Sequence, residues 1–368
     1  MIENTDLSVL VEPTLTWYEA NKRDLPWRKD KDPYHIWVSE IMLQQTRVEA
    51  VIPYYERFMT ALPTIEALAK CQEDPLLKLW EGLGYYNRVR NMQKAAQTIC
   101  AEYGGQMPQT YDGIVALSGI GPYTAGAIAS IAFDERVPAV DGNVLRILSR
   151  VSQDDSDILK DATKKRMTAQ LSQIMPKEAG AFNQALMEIG ALVCIPNGQP
   201  KCDLCPWQPF CLAYKNDTYD RLPVKTKAKP RRIEEKTVLL IQDGQKIVLR
   251  KRPSKGLLAG LYELPNVEGN MGQEEVLSMV KEMGYAPIRI QPLGEAKHIF
   301  SHIEWHMTGY AVRVEEPEMH PQVQCEKNRA DGLLFVEAED AKEKYAIPSA
   351  FAAYAKYMNI LLGNEKKA

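Results

Sequence analysis

The sequence lacks the features that would place it in a special class of protein. No apolar run approaches the ~20 residues of a membrane-spanning helix, and Val238–Ile241 is typical of the longest stretches. The start Met1-Ile-Glu has no basic, apolar secretory signal. The net charge of −3 gives no general attraction to polyanions, and a composition of 45% hydrophobic residues excludes a disordered chain. We therefore expect a cytoplasmic globular protein that avoids membranes and binds nucleic acid only through local basic patches.

The chain of 368 residues is too long for one typical domain. Apolar residues recur at helical spacing, with short Gly, Pro and Asp turns, from about Leu7 to Tyr214, where no strand pattern appears. We predict a mainly α-helical N-terminal region over residues 1–221. Alternating lysine, arginine and proline predict an exposed basic linker at 222–232, and residues 233–368 form a second, α+β domain.

Within the second domain the pattern changes to short strands and two helices. Predicted strands are Thr237–Ile241, Lys246–Arg250, Trp305–Val314 and Leu333–Val336, the first two joined by a tight turn at Asp243-Gly244. Predicted helices are Glu274–Met283 and Ser349–Leu362, and we expect the charged end 364–368 to fray.

Four of the seven cysteines lie within eighteen positions, whereas Cys71, Cys100 and Cys325 are scattered. A cytosolic cluster of this kind predicts a metal site rather than disulfides. The spacing of these cysteines alone is compatible with either a zinc ion or an iron-sulfur cluster. The four clustered residues are Cys194, Cys202, Cys205 and Cys211.

A Gly-x-Gly turn lies between two helical patterns in Leu117-Ser-Gly-Ile-Gly-Pro-Tyr-Thr-Ala. Gly119 and Gly121 allow the dihedrals of a tight hairpin, and the second helix then presents free backbone N–H groups that can bind phosphate. Taken alone, the motif is more often a glycine turn between packed helices.

Twenty residues after Gly121 comes Val140-Asp-Gly-Asn-Val-Leu-Arg, in which Asp141 has the position of a helix N-cap. Together the two segments resemble the helix-hairpin-helix (about 111–133) and the acid of the DNA glycosylase superfamily typified by endonuclease III. The resemblance implies that Asp141 faces C1′ of an extruded nucleotide and that capping is its lesser role. Tyr123 stands where strand-nicking members carry a lysine. A phenol forms no imine, so we expect a monofunctional glycosylase.

The stretch Leu25-Pro-Trp-Arg, continued by Asp32-Pro-Tyr-His-Ile-Trp-Val-Ser-Glu-Ile-Met-Leu-Gln-Gln-Thr-Arg, closely resembles the MutY-type adenine DNA glycosylases. Glu40 lies among apolar neighbours, which predicts a raised pKa and a general acid near neutral pH. The alternative is a glutamate on a solvated helix face. The resemblance implies that Glu40 protonates adenine N7 and later directs water, that Asp141 stabilises or traps the cationic sugar, and that Tyr123 orients the pair.

The same resemblance implies a set of DNA contacts, because the target adenine must be flipped out of the duplex. Implied contacts with the opposite 8-oxoguanine and its neighbours are Gln44, Gln45 and Thr46. In Trp80-Glu-Gly-Leu-Gly-Tyr-Tyr, intercalating wedges are expected from Leu83, Tyr85 and Tyr86, although aromatics at helix ends more often belong to the core. The implied adenine pocket comprises Trp27, Arg28, Leu43 and Gln184.

The resemblance also bears on the four cysteines and the C-terminal domain. The family holds a [4Fe-4S] cluster, and this chain has one extra residue between Cys194 and Cys202. The stretch Arg250–Pro265 resembles the entry of a Nudix-type fold, but Glu274, Glu275 and Glu282 do not match the Mg²⁺-binding Arg-Glu-x-x-Glu-Glu. We therefore expect a lesion-recognition domain without hydrolase activity, in which the family resemblance brings Ser301 and His302 to 8-oxoguanine.

These features predict a monomeric adenine DNA glycosylase acting in base excision repair near the bacterial nucleoid. The resemblance implies that its substrate is double-stranded DNA with adenine opposite 8-oxoguanine or guanine. One alternative is an endonuclease III-like enzyme for another base, which Tyr123 and the extra domain disfavour. Another is a non-catalytic iron-sulfur DNA-binding protein, which has no need of Glu40 and Asp141.

Overall fold

The computed structural model describes residues 6–226, 229–315 and 332–358. The chain divides into two compact units, the first formed by Met1–Lys70 with Arg90–Ala228 and the second by Cys71–Val89 with Lys229–Ala368. The junction after Ala228 lies inside the segment predicted to be a linker. The inclusion of Cys71–Val89 in the second unit was not indicated by the sequence. Among the described residues, no helix has the length and apolar character needed to span a membrane.

The α-helices and β-strands follow one another in two blocks, helices first and a mixed sheet second. The helices are α1 (Val11–Asn21), α2 (Pro33–Leu43), α3 (Val48–Ala61), α4 (Ile65–Lys70), α5 (Glu73–Leu79), α6 (Asn87–Glu102), α7 (Tyr111–Val115), α8 (Pro122–Phe133), α9 (Gly142–Val151), α10 (Asp161–Ile174), α11 (Ala179–Glu188), α12 (Leu212–Lys215), α13 (Gln273–Glu282), α14 (Ala338–Lys344) and α15 (Ala352–Ala355). The strands are β1 (Arg232–Asp243), β2 (Lys246–Lys251), β3 (Tyr262–Glu263), β4 (Asn266–Glu268), β5 (Ala286–Ile299), β6 (Ile303–Glu315) and β7 (Leu333–Glu337).

The first unit is built around α8, whose residues 124–130 are all buried. It packs against α2, α7 and α11. Gly126 permits the close approach of the chain that leads to α9, because a Cβ there would lie 2.4 Å from the carbonyl oxygen of Pro138. The amphipathic α9 buries its apolar side against α10 and α11. The described residues before Arg232 contain no strand, as predicted.

In the described residues of the second unit, seven strands form one sheet in the order β3-β2-β1-β6-β5, with β4 paired to β1 and β7 to β2. Strands β1 and β6 are parallel. Successive residues of β1 enter opposite cores, with Val238 and Leu240 on the side covered by residues 341–358 and Leu239 and Ile241 on the side covered by α13. The mixed α and β fold agrees with the prediction, and all four predicted strands are present.

Several segments of this unit differ from the prediction: the strands β3, β4 and β5 and the helix α14 were not predicted, and one predicted helix is shorter than expected. Strand β5 was missed, because Pro287, Pro292 and Gly294 resemble loop residues; the structure accommodates them at a sheet edge, where the register shifts between 287 and 289 and between 292 and 294. The predicted helix Ser349–Leu362 is instead a short helix, Ala352–Ala355, with a 3₁₀ turn on each side. Residues 359–362 and the end 364–368, where fraying is expected, lie outside the described residues.

The predicted linker, residues 222–232, is only partly exposed. Leu222 is buried, and its carbonyl accepts a hydrogen bond from Arg150 Nε at 3.0 Å. The N–H of Ile158 donates to Val224 O at 3.1 Å, and the Thr226 hydroxyl donates to Asp157. The first half of this segment therefore packs on the first unit. Its charged composition did not predict this packing.

Candidate active site

Glu40 lies near the end of α2, where its side chain is buried. The hydroxyl of Tyr123, in the first turn of α8, donates a hydrogen bond to Glu40 Oε2 at 2.8 Å. Burial raises the pKa of Glu40 to about 7; the Tyr123 hydrogen bond opposes this rise, the charge of Asp141 adds to it, and the charge of Arg28 opposes it. The apolar surroundings predicted from the sequence are present, and they leave Glu40 partly protonated near neutral pH.

Tyr123 serves as a donor and not as a base. Burial and the neighbouring charges of Glu40 and Asp141 raise its pKa well above the ordinary value for tyrosine. Its hydroxyl also lies 3.5 Å from Met187 Sδ. The phenol therefore keeps its proton at every pH at which Glu40 titrates, and holds that carboxyl in one orientation.

Asp141 is the N-cap of α9. Its Oδ1 accepts hydrogen bonds from the backbone N–H groups of Asn143 (2.9 Å) and Val144 (2.8 Å), and its Oδ2 accepts one from Asn143 Nδ2 (2.8 Å). Capping is thus a full role of this side chain and not the lesser one expected from the sequence. Three N–H donors at the positive end of a helix complement a negative charge on the carboxylate.

The loop that leads to Asp141 is held by Asn183, a fully buried residue of α11. Its Oδ1 accepts the N–H of Ala139 at 3.0 Å, and its Nδ2 donates to Val137 O at 2.9 Å and to Ser130 Oγ at 2.8 Å. One amide therefore ties α8, α11 and this loop together. Asn183 is not among the site residues predicted from the sequence, although its position in the pattern Phe182–Glu188 was a usable signal.

Arg28 is oriented by a buried acid that the sequence analysis also missed. Glu188 is 1% exposed. Its Oε1 accepts from Arg28 at 2.8 Å and from Arg23 at 2.9 Å, and its Oε2 accepts from Arg23 at 2.9 Å. Such a paired, charge-assisted contact offsets the cost of burying the carboxylate, and it holds Arg28 where its charge acts on Glu40.

The other predicted pocket residues lie in different environments. Trp27 is buried, and its ring makes an edge contact with Tyr55 at 5.3 Å. Leu43 ends α2 and is half-buried. Gln184 donates to the carbonyl of Gly180 in its own helix at 3.2 Å. Its amide is therefore engaged locally in this structure.

The turn that follows α2 carries Gln44, Gln45 and Thr46. Gln44 Nε2 lies 3.4 Å from Thr124 Oγ1 of α8, and the N–H of Thr46 donates to Leu43 O. Gln45 is exposed and has a φ of +60°, a left-handed conformation that is uncommon for residues other than glycine. The turn therefore holds an exposed amide side chain a few residues from Glu40.

The helix-hairpin-helix consists of α7, the turn 116–121 and α8. Gly119 has a φ of +74°, and a Cβ there would lie 2.4 Å from Asn91 Cβ, so the turn requires glycine. Gly121 is extended and has open space around it. It precedes α8 without a side-chain cap, so the start of this helix is accessible at the surface.

The predicted wedge residues belong to the second unit. Tyr85 is 52% exposed with a φ of +48°, whereas Leu83 and Tyr86 are each 6% exposed. The turn is held by Arg88, whose Nη2 donates to Leu83 O (2.9 Å) and Gly84 O (3.2 Å). Of the three predicted wedges, the structure therefore brings Tyr85 to the surface.

Ser301 and His302 lie in the exposed turn between β5 and β6. Ser301 Oγ and Tyr85 Oη are 2.9 Å apart and share a hydrogen bond. Edge-to-face ring contacts flank the turn, with the ring centroid of Phe300 4.8 Å from that of Trp305 and 4.6 Å from that of His298. The sequence did not predict that Tyr85 and Ser301, 216 positions apart, would be partners.

The four clustered cysteines line one cavity of the first unit, together with Arg150, Val193 and Pro200. Arg150 Nη1 lies 3.3 Å from Cys194 Sγ, and Arg146 Nε donates to Cys194 O at 3.1 Å. Within the described ranges, no three thiol, imidazole or carboxyl groups converge closely enough to bind a single metal ion. The thiols thus surround a volume, with arginine beside them.

Two protein-family models match the chain. Residues 38–177 match the HhH-GPD superfamily of base excision DNA repair proteins, and residues 237–357 match the NUDIX domain. The first span contains the hairpin, Glu40 and Asp141. The second contains most of the mixed sheet and the turn that carries Ser301.

Individual relatives match most of the chain. The adenine DNA glycosylase of Rattus norvegicus is 36% identical, over 84% of this chain and 71% of the rat protein. The adenine DNA glycosylase of Buchnera aphidicola subsp. Schizaphis graminum is 36% identical, over 80% of this chain and 84% of its own length. Among solved structures, a thermostable thymine-DNA glycosylase superposes with a TM-score of 0.51 at 28% identity, covering 56% of this chain and 96% of that one.

Proposed function

Because the chain belongs to the adenine DNA glycosylase family, we propose that its substrate is duplex DNA in which adenine lies opposite 8-oxoguanine or guanine. The enzyme hydrolyses the N-glycosidic bond of that adenine after flipping the nucleotide out of the stack. The observation that carries the proposal is the pairing of a buried Glu40, hydrogen-bonded by Tyr123, with Asp141, the N-cap of α9, whose charge reaches it.

Glu40 is the general acid of the proposed reaction. Adenine is a poor leaving group until a ring nitrogen is protonated, and a carboxyl with a pKa of about 7 is both protonated often enough and acidic enough to do this near neutral pH. Glu40 gives its proton to adenine N7. As a carboxylate it then directs the water that attacks C1′ and accepts the proton that this water loses, and Tyr123 keeps it oriented in both states.

Asp141 stabilises the positive charge that develops on the sugar as the bond breaks, or traps the sugar covalently. Because two backbone N–H groups of α9 and the side-chain amide of Asn143 hold its carboxylate in place, the anion is positioned before the reaction starts. Such preorganised charge is among the largest contributions that an active site makes to catalysis. The buried Asn183 supports this arrangement by holding the preceding loop.

The proposed enzyme is monofunctional. Tyr123 stands in the hairpin at the position of an imine-forming lysine, and a phenol with a strongly raised pKa offers neither an amine nor an anionic nucleophile. The product is therefore an abasic site in an unbroken strand.

DNA binding is assigned to surfaces of both units. In the first unit, the accessible start of α8 after Gly119 and Gly121 binds a phosphate through backbone N–H groups, and the turn Gln44–Thr46 contacts the bases beside the flipped adenine. Trp27, Arg28, Leu43 and Gln184 line the pocket that receives it.

In the second unit, Tyr85 is the wedge that fills the opened stack, while Ser301 and His302 read 8-oxoguanine. Ser301 suits this role because its hydroxyl both donates and accepts, and the lesion differs from guanine by an O8 acceptor and an N7–H donor. Leu83 is buried, so we propose that it supports the turn from within and reaches DNA only if the turn rearranges.

We propose that the four cysteines hold a [4Fe-4S] cluster. Each iron of such a cluster takes one thiolate, so the ligands surround a volume, as the thiols of Cys194, Cys202, Cys205 and Cys211 do. A structural zinc ion would instead need four sulfurs converging on one point at about 2.3 Å. Arg150 beside Cys194 complements thiolate charge. When bound, the cluster supplies a covalent cross-link between the ends of this loop.

The test is a single-turnover assay of base release on three duplexes, with adenine opposite 8-oxoguanine, guanine or thymine. We expect release from the first two, fastest from the first, and strand breaks only after alkali. Glu40→Gln and Asp141→Asn should each abolish most release while leaving duplex binding intact. Arg221→Gln, a change on the surface of the same unit, is the control. Equal release from all three duplexes would refute the proposed mispair preference.

A further inference from the structure

Three polar residues of the segment Cys71–Val89 form hydrogen bonds and ion pairs with the other segment of the second unit, Lys229–Ala368. We call these three residues and their partners the Glu81 cluster. Its members are Asp74, Lys78, Glu81, Lys251, Tyr262, Tyr345 and Ile347.

The centre of the cluster is buried. Glu81 is 5% exposed, and its carboxylate accepts from Lys78 Nζ at 2.9 and 3.0 Å and from the backbone N–H of Ile347 at 2.9 Å. Lys78 Nζ also donates to Tyr345 O at 2.8 Å. A buried ion pair that binds backbone groups on both of its charges is sensitive to the loss of either partner.

The edge of the cluster is half-exposed. Asp74 forms an ion pair with Lys251 at 3.0 Å and accepts a hydrogen bond from Tyr262 Oη at 3.0 Å. The Tyr262 ring in turn makes an edge contact with Tyr345 at 4.6 Å. The two parts of the cluster therefore meet through the tyrosine pair, and α5 is attached at both of its ends.

A short, well-held turn connects Glu81 with Tyr85. Trp80 Nε1 donates to Gly84 O at 3.1 Å, and Arg88 donates to the carbonyls of residues 83 and 84. Arg88 also lies over the rings of Trp80 and Tyr85 at 5.3 and 5.9 Å. These contacts connect the turn after Glu81 with Tyr85, and the Tyr85 hydroxyl connects it with Ser301.

We propose that Glu81 is a positioning residue for discrimination between 8-oxoguanine and guanine: the Glu81 cluster keeps the wedge Tyr85 in register with the reader Ser301. This inference rests on the proposed function and adds to it a determinant that touches no DNA. Because Glu40 and Asp141 lie in the first unit, disruption of the cluster should reduce preference for the lesion more than catalysis on adenine opposite guanine.

The experiment uses the full-length protein and single-turnover rates on adenine opposite 8-oxoguanine and opposite guanine. Glu81→Gln keeps an acceptor for the Ile347 N–H but loses the ion pair, and should lower the ratio of the two rates about tenfold. Asp74→Asn, at the half-exposed edge, should lower it less. Glu339→Gln, the same chemical change in an exposed ion pair of this unit, is the matched control and should leave the ratio unchanged.

Two further measurements separate positioning from general damage. In combination with Ser301→Ala, the Glu81→Gln change should lower the ratio no further than Ser301→Ala alone, because both act through one contact. Hydrogen exchange should accelerate at the Ile347 amide and in residues 79–89, while amides of α8 and α9 keep their protection. Equal loss of rate on both duplexes, or full additivity with Ser301→Ala, would overturn the inference.

The failure of the proposed function has a different signature. If the native protein itself releases adenine equally well opposite 8-oxoguanine and guanine, the proposed specificity is wrong and the role of Glu81 falls with it. If the native protein shows the preference and Glu81→Gln retains it, only the inference about the Glu81 cluster is wrong.

Discussion

Replacement of Glu40 by glutamine should abolish base release and, at the same time, stabilise the protein in a pH-dependent way. The folded protein raises the pKa of this carboxyl from 4.5 to about 7, chiefly through burial. Between these two values the folded state holds a proton that the unfolded chain has released, so the stability of the native protein falls as the pH rises through this window. Glutamine carries no charge, so the Glu40→Gln protein should not lose stability in this way as the pH rises.

The size of the effect follows from the same two values. They differ by about 2.5 pH units, and each unit corresponds to about 1.4 kcal/mol. The native protein should therefore lose about 3 kcal/mol of unfolding free energy at pH 8 and less than about 1 kcal/mol at pH 5. Because glutamine has nearly the same volume and can still accept from Tyr123, few packing changes obscure the comparison.

Denaturant unfolding of both proteins, followed by tryptophan fluorescence at pH 5 and pH 8 with matched iron content, measures this difference. We expect Glu40→Gln to raise the unfolding midpoint more at pH 8 than at pH 5. Glu339→Gln should change neither. If Glu40→Gln shifts the unfolding midpoint equally at the two pH values, or destabilises the protein at pH 8, burial does not raise the pKa of this carboxyl. That result would remove the basis for Glu40 as the acid.

Three other predictions concern the same unit. Tyr123→Phe removes a hydrogen bond that lowers the pKa of Glu40, so the alkaline decline of single-turnover base release should move up by roughly one pH unit; an unchanged midpoint would contradict the pairing. Borohydride should trap no enzyme–DNA adduct within the hairpin, and efficient trapping there would refute a monofunctional reaction. Cys202→Ala should lower iron content and visible absorption in the purified protein, whereas full iron loading would remove this thiol from the ligand set.

The sequence could predict those parts of the site in which a residue's surroundings are set by its neighbours along the chain. Glu40 follows Ile36, Trp37 and Val38 on one helix, so its burial can be read from its neighbours. The turn at Gly119 is likewise indicated by the local sequence, because its left-handed φ favours glycine, whereas its close approach to Asn91 of α6 is not. In each case the relevant contacts lie within a few residues, or are demanded by backbone geometry.

The parts that the sequence could not predict depend on contacts between distant segments. Glu188 meets Arg23 and Arg28 from more than 150 positions away, and Tyr85 meets Ser301 across 216. No periodicity or spacing in the sequence indicates such contacts between distant residues. Strand β5 was missed for a different reason, since its prolines and Gly294 suit a sheet edge only once the order of strands is known.

The two acids of the proposed mechanism have opposite requirements, and the fold meets each of them by a different route. A proton donor to adenine needs surroundings that disfavour its charge, and Glu40 has burial and a single hydroxyl donor. An anion facing a cationic sugar needs donors in place beforehand, and Asp141 has three at the N-terminus of α9. Of the residues that cap helices well, namely serine, threonine, asparagine, aspartate and glycine, aspartate alone carries a negative charge. Position 141 thus requires a residue that caps and is anionic at once, and glutamate, one methylene longer, cannot take its place without giving up the cap.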